Sequence, residues 1–237
     1  MMSKLLYHSR SDSDSFIKKL RSMGMKVGER TTFFSPMTTE IDLTRPYMIE
    51  LGDDVQITKG CTILTHGYDW AVLKGVYGEV LGSAGKVTIG NNVFIGMNTT
   101  ILKGVTIGNN VIIGANTLVN KNIPDNTVAV GNPVKVIMSI EEYYHKRKQV
   151  QIQEAEELIN TYYQTYHKMP EKKDLHEFFW LFSDDSASLE PCYKKMMQLV
   201  GNEEFSNACI TQHKKEFECF ESCVYELLHH ENDDVDE

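Results

Sequence analysis

From Leu51 onward, aliphatic residues recur at every sixth position: Leu51, Ile57 and Ile63, then, after one interruption, Ile89, Ile95, Ile101, Ile107, Ile113 and Val119. Glycine often follows, as at Gly52, Gly90, Gly96, Gly108 and Gly114. Four residues beyond every one of these except Ile63, where the period breaks, comes a second small or β-branched residue: Val55, Cys61, Val93, Thr99, Val105, Val111, Thr117 and Ile123. A helix repeats its apolar face at 3.6 residues and a strand at 2, so neither explains this interval. A short strand followed by a tight corner does, with three strands closing one triangular coil. Each aliphatic then points into the prism and stacks on its counterpart one coil away, and each coil needs a neighbour to bury its core. The glycines are expected to supply a corner conformation that a Cβ would oppose. A sandwich of Gly-bounded strands does not hold one phase from Ile89 to Val119 without insertion. The predicted fold class is therefore mainly β, a parallel β-helix of hexapeptide repeats over 27–138.

The flanks carry helical signals instead. Ser13 to Met25 predicts a short amphipathic helix with Phe16, Ile17 and Leu20 on one side and Gly24 and Gly28 around its exit. Within an N-terminal cap, 1–26, it would cover the open first coil, whose bare edge invites aggregation. After Ile137 glycine almost disappears, and 139–237 reads as an α-helical extension. Ser139 with Glu142 forms a capping box that predicts a helix to about Tyr166. Pro170 and Pro191 mark further helix starts, and Gly201 a stop. A last helix is predicted from about Glu203 to His229, with Phe205, Cys209, Phe217, Phe220, Val224 and Leu227 toward a core. The run Lys146, Arg147, Lys148 reads as a solvated face.

Composition narrows the function classes. The chain has 237 residues, enough for one large domain or two modest ones. Its formal net charge of -9 lacks the basic surface that neutralising phosphates requires, so no nucleic-acid partner is expected. Glu231 to Glu237 is an acidic run expected to be a solvated, frayed tail. Cys61, Cys192, Cys209, Cys219 and Cys223 show no metal-site spacing and read as reduced thiols. No apolar run approaches a membrane span, and MMSKLLYHSRSDSDS has no leader-like core, so a cytoplasmic protein is expected.

The period breaks once. After Ile63 the chain reads LTHGYDWAVLKGVYGEVLGSAGKV before the rungs resume at Ile89. A long external loop, 66–86, on a rigid scaffold is a common place for function. His66 stands where this loop leaves the prism and is the only histidine within the repeat. His8 precedes it, and His145, His167, His176, His213, His229 and His230 follow it. Imidazole titrates near neutrality, so it can take a proton from a hydroxyl and hand it to a leaving group. A lone histidine is ordinarily structural, but its place at the loop exit favours chemistry. Cys61 occupies an inward repeat position and reads as a buried thiol, not a nucleophile.

The stretch IGNNVFIGMNTTILKGVTIGNNVIIGANTLVNKNIPDNTVAVGNPVKVI resembles the hexapeptide-repeat acyltransferases, in the style of the galactoside, maltose and capsular-polysaccharide O-acetyltransferases. The resemblance runs from about Val27 to Ile137, and its closing segment IPDNTVAVGNPVKVI is more diagnostic than the repeat. It implies a left-handed parallel β-helix, a homotrimer, an active site in the cleft between subunits and acetyl-CoA as donor, with no metal. It also implies that His66 is the general base of a direct transfer, with backbone N–H groups holding the oxyanion. Donor contacts carried over on this basis are Phe94, Gly96 and Met97, then Gly114, Ala115, Asn120 and Lys121, then Asn132, Pro133 and Lys135. Lys121 and Lys135 would meet the CoA phosphates. Related enzymes often have Trp at the position of Phe94 and Arg at that of Lys135.

Acceptor contacts are expected from Tyr68, Asp69 and Trp70 in the loop, and from Asp42 and Arg45 in IDLTRPYMIE. Asp69 is alternatively the group that orients the imidazole, and Asp42 with Arg45 alternatively an internal ion pair. Galactoside members carry an early-coil Asn that has no match here, which argues against a galactoside acceptor. The leading expectation is acetyl transfer from acetyl-CoA to a saccharide hydroxyl. N-acetylation of an amino sugar or nucleotide-sugar is the alternative, and a non-catalytic β-helix scaffold a third. A γ-type carbonic anhydrase shares the prism but needs three histidines for zinc, and the repeat offers one.

Overall fold

The computed structural model describes residues 8–229, which divide into two compact units between Tyr143 and Tyr144. His230, the acidic run 231–237 and the first seven residues of the expected cap lie outside the described residues.

In the first unit the strands lie on three sheets. The first holds β1 (Lys26–Val27), β4 (Ile49–Leu51), β7 (Val87–Ile89) and β10 (Thr106–Ile107). The second holds β2 (Thr32–Phe33), β5 (Val55–Ile57), β8 (Val93–Ile95), β11 (Val111–Ile113) and β13 (Thr127–Val130). The third holds β3 (Glu40–Ile41), β6 (Thr62–Ile63), β9 (Thr100–Ile101) and β12 (Leu118–Val119). Each strand pairs in parallel with its counterpart one coil away, as Ile57 with Ile95 and Ile95 with Ile113. Among the strands of the described residues, β14 (Lys135–Ser139) alone turns back antiparallel, closing the stack on β13. The hexapeptide aliphatics are the inside of this three-sided coil: Ile57, Ile63, Ile95, Ile101, Ile113 and Val119 are fully buried.

The corners correct one expectation. The left-handed backbone positions are Arg30, Asp54, Asn92, Asn98, Asn110, Asn116 and Asn126, with Gly60 and Gly104. Gly52, Gly90, Gly96, Gly108 and Gly114 are not among them; they are glycine because the coils approach closely there. A Cβ on Gly90 would stand 2.7 Å from Gly108 O, and one on Gly52 2.6 Å from Gly90 O. Asparagine tolerates the left-handed region better than other side chains. Here its amides also bond along the stack, Asn92 to Asn110 at 2.9 Å and Asn110 to Asn126 at 2.8 Å. Gly90→Ala is expected to cost about 1–3 kcal/mol of stability by forcing carbon against backbone. A thermal midpoint equal to that of the parent protein would refute this account of the corners.

Helix α1 (Ser13–Ser22) begins at Asp12, whose carboxylate accepts from Ser15 N at 2.8 Å, and stops before the left-handed Gly24. Its Phe16, Ile17 and Leu20 are buried in the core of the coil, with Phe16 edge-on to Phe33 at 5.0 Å. The insertion after Ile63 is more ordered than a loop. Its neck is a small antiparallel ladder, His66 opposite Ala84, with Gly67 N donating to Ser83 O at 3.2 Å. Beyond the neck lies α2 (Trp70–Tyr77), ended by the left-handed Gly78. None of its residues is buried, so it has no apolar stripe against a core for periodicity to reveal.

The second unit has its own core. Helix α3 (Ile140–Tyr166) opens on the expected capping box: Ser139 N donates to Glu142 Oε2 at 2.7 Å and Glu142 N to Ser139 Oγ at 3.1 Å. Ala155 and Ile159 of α3 pack with Leu175, Phe179, Leu181, Tyr193, Val224 and Leu227. Helix α4 (Pro191–Met197) starts at Pro191 as expected, but Pro170 starts none. There the Asp174 carboxylate accepts from Glu171 N at 2.8 Å, which favours a turn over a helix. The long last helix is two, α5 (Glu203–Ile210) and α6 (Phe220–His229). The chain leaves helix between them because Glu216 N and Phe217 N both bond Leu181 O. Phe205, expected in the core, is 69% exposed. Among the described residues no helix is long and apolar enough to cross a membrane.

Candidate active site

His66 and Asp42 meet on the edge where the chain passes from the third sheet toward the first. Asp42 directly follows β3 and its N–H donates to Ile63 O at 3.0 Å, which sets it one coil below the start of the insertion. His66 Nδ1 lies 2.6 Å from Asp42 Oδ2. Thr65 Oγ1 also donates to Asp42 Oδ2. The other oxygen accepts from Thr44 N at 2.9 Å and Thr44 Oγ1 at 2.6 Å. Burial alone would raise the Asp42 pKa, but the donors Thr44, Thr65 and His66 outweigh it and hold the carboxyl well below the usual carboxylate range.

An ionised carboxylate is acceptor-only, so Nδ1 must donate to it. In the neutral ring the lone pair is then on Nε2, which has no hydrogen-bond partner among the described residues. The His66 side chain is 16% exposed and that of Asp42 4%, so the base reaches solvent while its anchor does not.

This geometry corrects three expectations. Asp42 and Arg45 form no ion pair, because the ionic partner of Asp42 is His66. With four donors on its two oxygens, Asp42 has no lone pair left for an acceptor molecule. Asp69 does not orient the imidazole; Asp42 does. The expected loop cluster is otherwise assembled: Tyr68 lies edge-on to His66 at 5.2 Å and tilted on Trp70 at 5.9 Å. Tyr68 and Asp69 are exposed, and Arg45 and Trp70 half-buried.

The expected donor contacts fall on two edges of the prism. Gly96, Met97, Gly114, Ala115, Asn132 and Pro133 follow strands of the second sheet, on the edge toward the third. Phe94 points outward from β8 beside them, opposite Ile112, and Lys135 begins β14. Asn120 and Lys121 instead follow β12, on the same edge as His66. Met97, Ala115, Lys121, Asn132, Pro133 and Lys135 are exposed, while Gly96 is buried. A Cβ on Gly96 would stand 2.5 Å from Ala115 N, so coil packing already requires glycine there.

The family model for bacterial transferase hexapeptide (six repeats) matches residues 86–121. Protein CapG of Staphylococcus aureus is 45% identical over 128 residues, covering 54% of this chain and 73% of that protein. The chain belongs to the hexapeptide-repeat acyltransferases. Putative acetyltransferase YvoF of Bacillus subtilis (strain 168) is 39% identical over 124 residues, covering 52% of this chain and 66% of that protein. Galactoside O-acetyltransferase of Escherichia coli (strain K12) is 39% identical over 109 residues, covering 44% of this chain and 53% of that relative. Among solved structures, a maltose O-acetyltransferase from Clostridium difficile 630 aligns at TM-score 0.45 and 30% identity, covering 58% of this chain and 82% of that one. As a hexapeptide-repeat acyltransferase, the protein is an enzyme of acyl group transfer, and its repeat is the element by which this family is recognised.

Proposed function

We propose that the protein is an acetyl-CoA-dependent O-acetyltransferase that acts on a saccharide hydroxyl by direct transfer, with His66 as general base. The observation that carries this reading is the Asp42–His66 pair, a partly exposed imidazole at the neck of the insertion whose Nδ1 is held by the carboxylate and whose Nε2 has no hydrogen-bond partner among the described residues. His66 Nε2 takes the hydroxyl proton as the sugar oxygen attacks the acetyl carbonyl carbon. The oxyanion that forms collapses, the C–S bond breaks, and the CoA sulfur leaves with the proton held on Nε2. No enzyme nucleophile is needed, because the thioester is already activated. The one thiol at an inward position of the coil, Cys61, is buried with its pKa raised by that burial, consistent with an inert packing role.

The donor runs along the edge of Phe94, Gly96, Met97, Gly114, Ala115, Asn132 and Pro133. Lys121 and Lys135 are the cations for its phosphates, and Asn120 is beside Lys121. His66 and most of these positions follow different sheets of one coil. A site in which the donor edge of one copy faces His66 of another joins the two, and on this reading the protein is a homotrimer of left-handed coils with a cleft between subunits. Tyr68, Trp70, Asp69 and Arg45 surround the acceptor, with aromatic faces against the sugar ring and charged groups at its hydroxyls. We assign the coil, 27–138, to catalysis, 1–26 to its cap, 139–237 to the helical extension, and the protein to the cytoplasm.

The test is thiol release from acetyl-CoA across a panel of sugars, amino sugars and nucleotide-sugars, with thermal shift as the binding readout. Acetyl-CoA at about 100 times its Kd is expected to stabilise the fold by about 2.7 kcal/mol, and neutral sugars to release thiol. Release with amino sugars alone would replace O- by N-acetylation. No thermal shift and no release would leave a scaffold.

A further inference from the structure

The helical unit carries a second feature that acyl transfer does not use. A cavity of about 550 Å³ opens between α3, the turn at Phe179–Leu181, α5 and the segment after it. That volume lies within the roughly 300–1,000 Å³ range of small-molecule sites. Three aromatic rings line it, Tyr144, Trp180 and Phe205, two of them largely exposed. Phe205 is the residue that the amphipathic pattern assigned to the core, and in the structure it stands at this cavity instead.

The floor is built. The His213 ring lies 4.8 Å from Trp180, and its two nitrogens sit 2.6 Å from Ile210 O and 2.8 Å from Trp180 O. This ties the turn that bears Trp180 to the end of α5. The rim is cationic. Lys148 and Lys214 line the cavity against one carboxylate, Glu216, and neither lysine has an ion pair among the described residues. Lys148 Nζ stands 5.4 Å over the Tyr144 ring, so its charge is carried at the aromatic wall. The chain as a whole is acidic, at -9, which makes two lysines without ion pairs beside three lining rings, two of them exposed, a local departure.

We propose that this cleft is a second saccharide site, which holds an acidic oligosaccharide, carboxylate groups on the lysines and sugar faces on the rings. Aromatic rings offer apolar surface to the C–H face of a pyranose, and ammonium groups form charge-assisted bonds to carboxylates. The proposal deepens the reading above and rests on it for the choice of saccharide. It names an anionic glycan as the acceptor class, captured by the extension while the coil acetylates it.

The experiment uses the full chain with Trp70→Phe, which leaves Trp180 as the one tryptophan. Its fluorescence is titrated without acetyl-CoA, with calorimetry in parallel, against tetragalacturonate and a hyaluronan tetrasaccharide. Maltotetraose serves as the neutral control and UDP as the nucleotide control. At least one acidic tetrasaccharide is expected to bind saturably, at least tenfold more tightly than maltotetraose. Lys148→Gln with Lys214→Gln, and separately Phe205→Ala, should weaken it at least tenfold without lowering the thermal midpoint. Introduced into the parent protein with Trp70 intact, the lysine pair should leave thiol release on single-sugar acceptors unchanged. No saturable binding by either acidic probe, equal binding of maltotetraose, or tighter binding of UDP would each overturn the proposal. Saturable acidic binding together with no thiol release by the parent protein, Trp70 intact, on any sugar would sink the transferase reading and leave the cleft standing.

Discussion

Replacing His66 with alanine is expected to lower turnover by about 10²- to 10⁴-fold, the usual contribution of a positioned acid–base group. The thermal shift produced by acetyl-CoA should survive, because the donor contacts proposed here lie on other residues. Removing the imidazole leaves the thioester as reactive as before and the sugar hydroxyl without a proton acceptor, so the loss falls on kcat and not on donor binding. Added imidazole should restore part of the rate, since the vacated space still faces Asp42. Turnover within threefold of the parent protein, measured by thiol release with the preferred sugar, would remove His66 from the mechanism. The structural alternative, a histidine that merely ties the insertion to the coil, predicts a lower melting temperature with turnover scaled to the folded fraction. The two outcomes separate when both quantities are measured on one preparation.

The coil was legible because its rules are local. An inward aliphatic, a glycine where coils touch and a left-handed residue before the next strand recur within a few positions, and hydrogen-bonded partners on neighbouring regular coils are 18 residues apart. At the corners the spacing does not say which residue does which task, because glycine serves both close approach and left-handed backbone. Arg30 and Asp54 could not be read as corner residues. Arginine is not typical of that backbone region, aspartate also serves in many other roles, and their bond at 2.7 Å joins positions 24 apart on the irregular early coils.

Asp42 shows the same limit at the site. It lies 24 residues from His66, across a coil whose length the repeat does not fix. One signal was available. Asp42 follows Ile41 as Leu64 follows Ile63, so stacking Ile41 on Ile63 already brings Asp42 under the start of the insertion. In the helical unit, hydrophobic spacing suggested one helix where there are two. Spacing records which residues are apolar, not that Leu181 O would draw two N–H groups out of the helix.

Asp42→Asn is the sharper test of the site, because it changes one charge and almost no volume. The carboxylate accepts from Nδ1 and so keeps the lone pair on Nε2. An amide can instead present its N–H to Nδ1, which places the ring proton on Nε2, where it blocks proton abstraction. We therefore expect kcat to fall by about 10²- to 10⁴-fold. KM for acetyl-CoA should stay within about twofold, as for a residue that acts through another. Adding His66→Ala to Asp42→Asn should cost little more, since the two work as a unit.

The same substitution has a pH signature. The Asp42 pKa is below its ordinary 3.8 in the folded chain, through Thr44, Thr65 and His66 acting against burial. The unfolded chain therefore binds this proton more readily than the folded one. The stability that follows is fully present above about pH 4 and is lost as the pH falls toward the folded-state value. Urea denaturation of the parent protein should weaken on acidification through this window more steeply than that of Asp42→Asn. Parallel acid profiles for the two proteins, together with unchanged turnover, would show that the Asp42 carboxylate neither holds the imidazole nor is held by its donors.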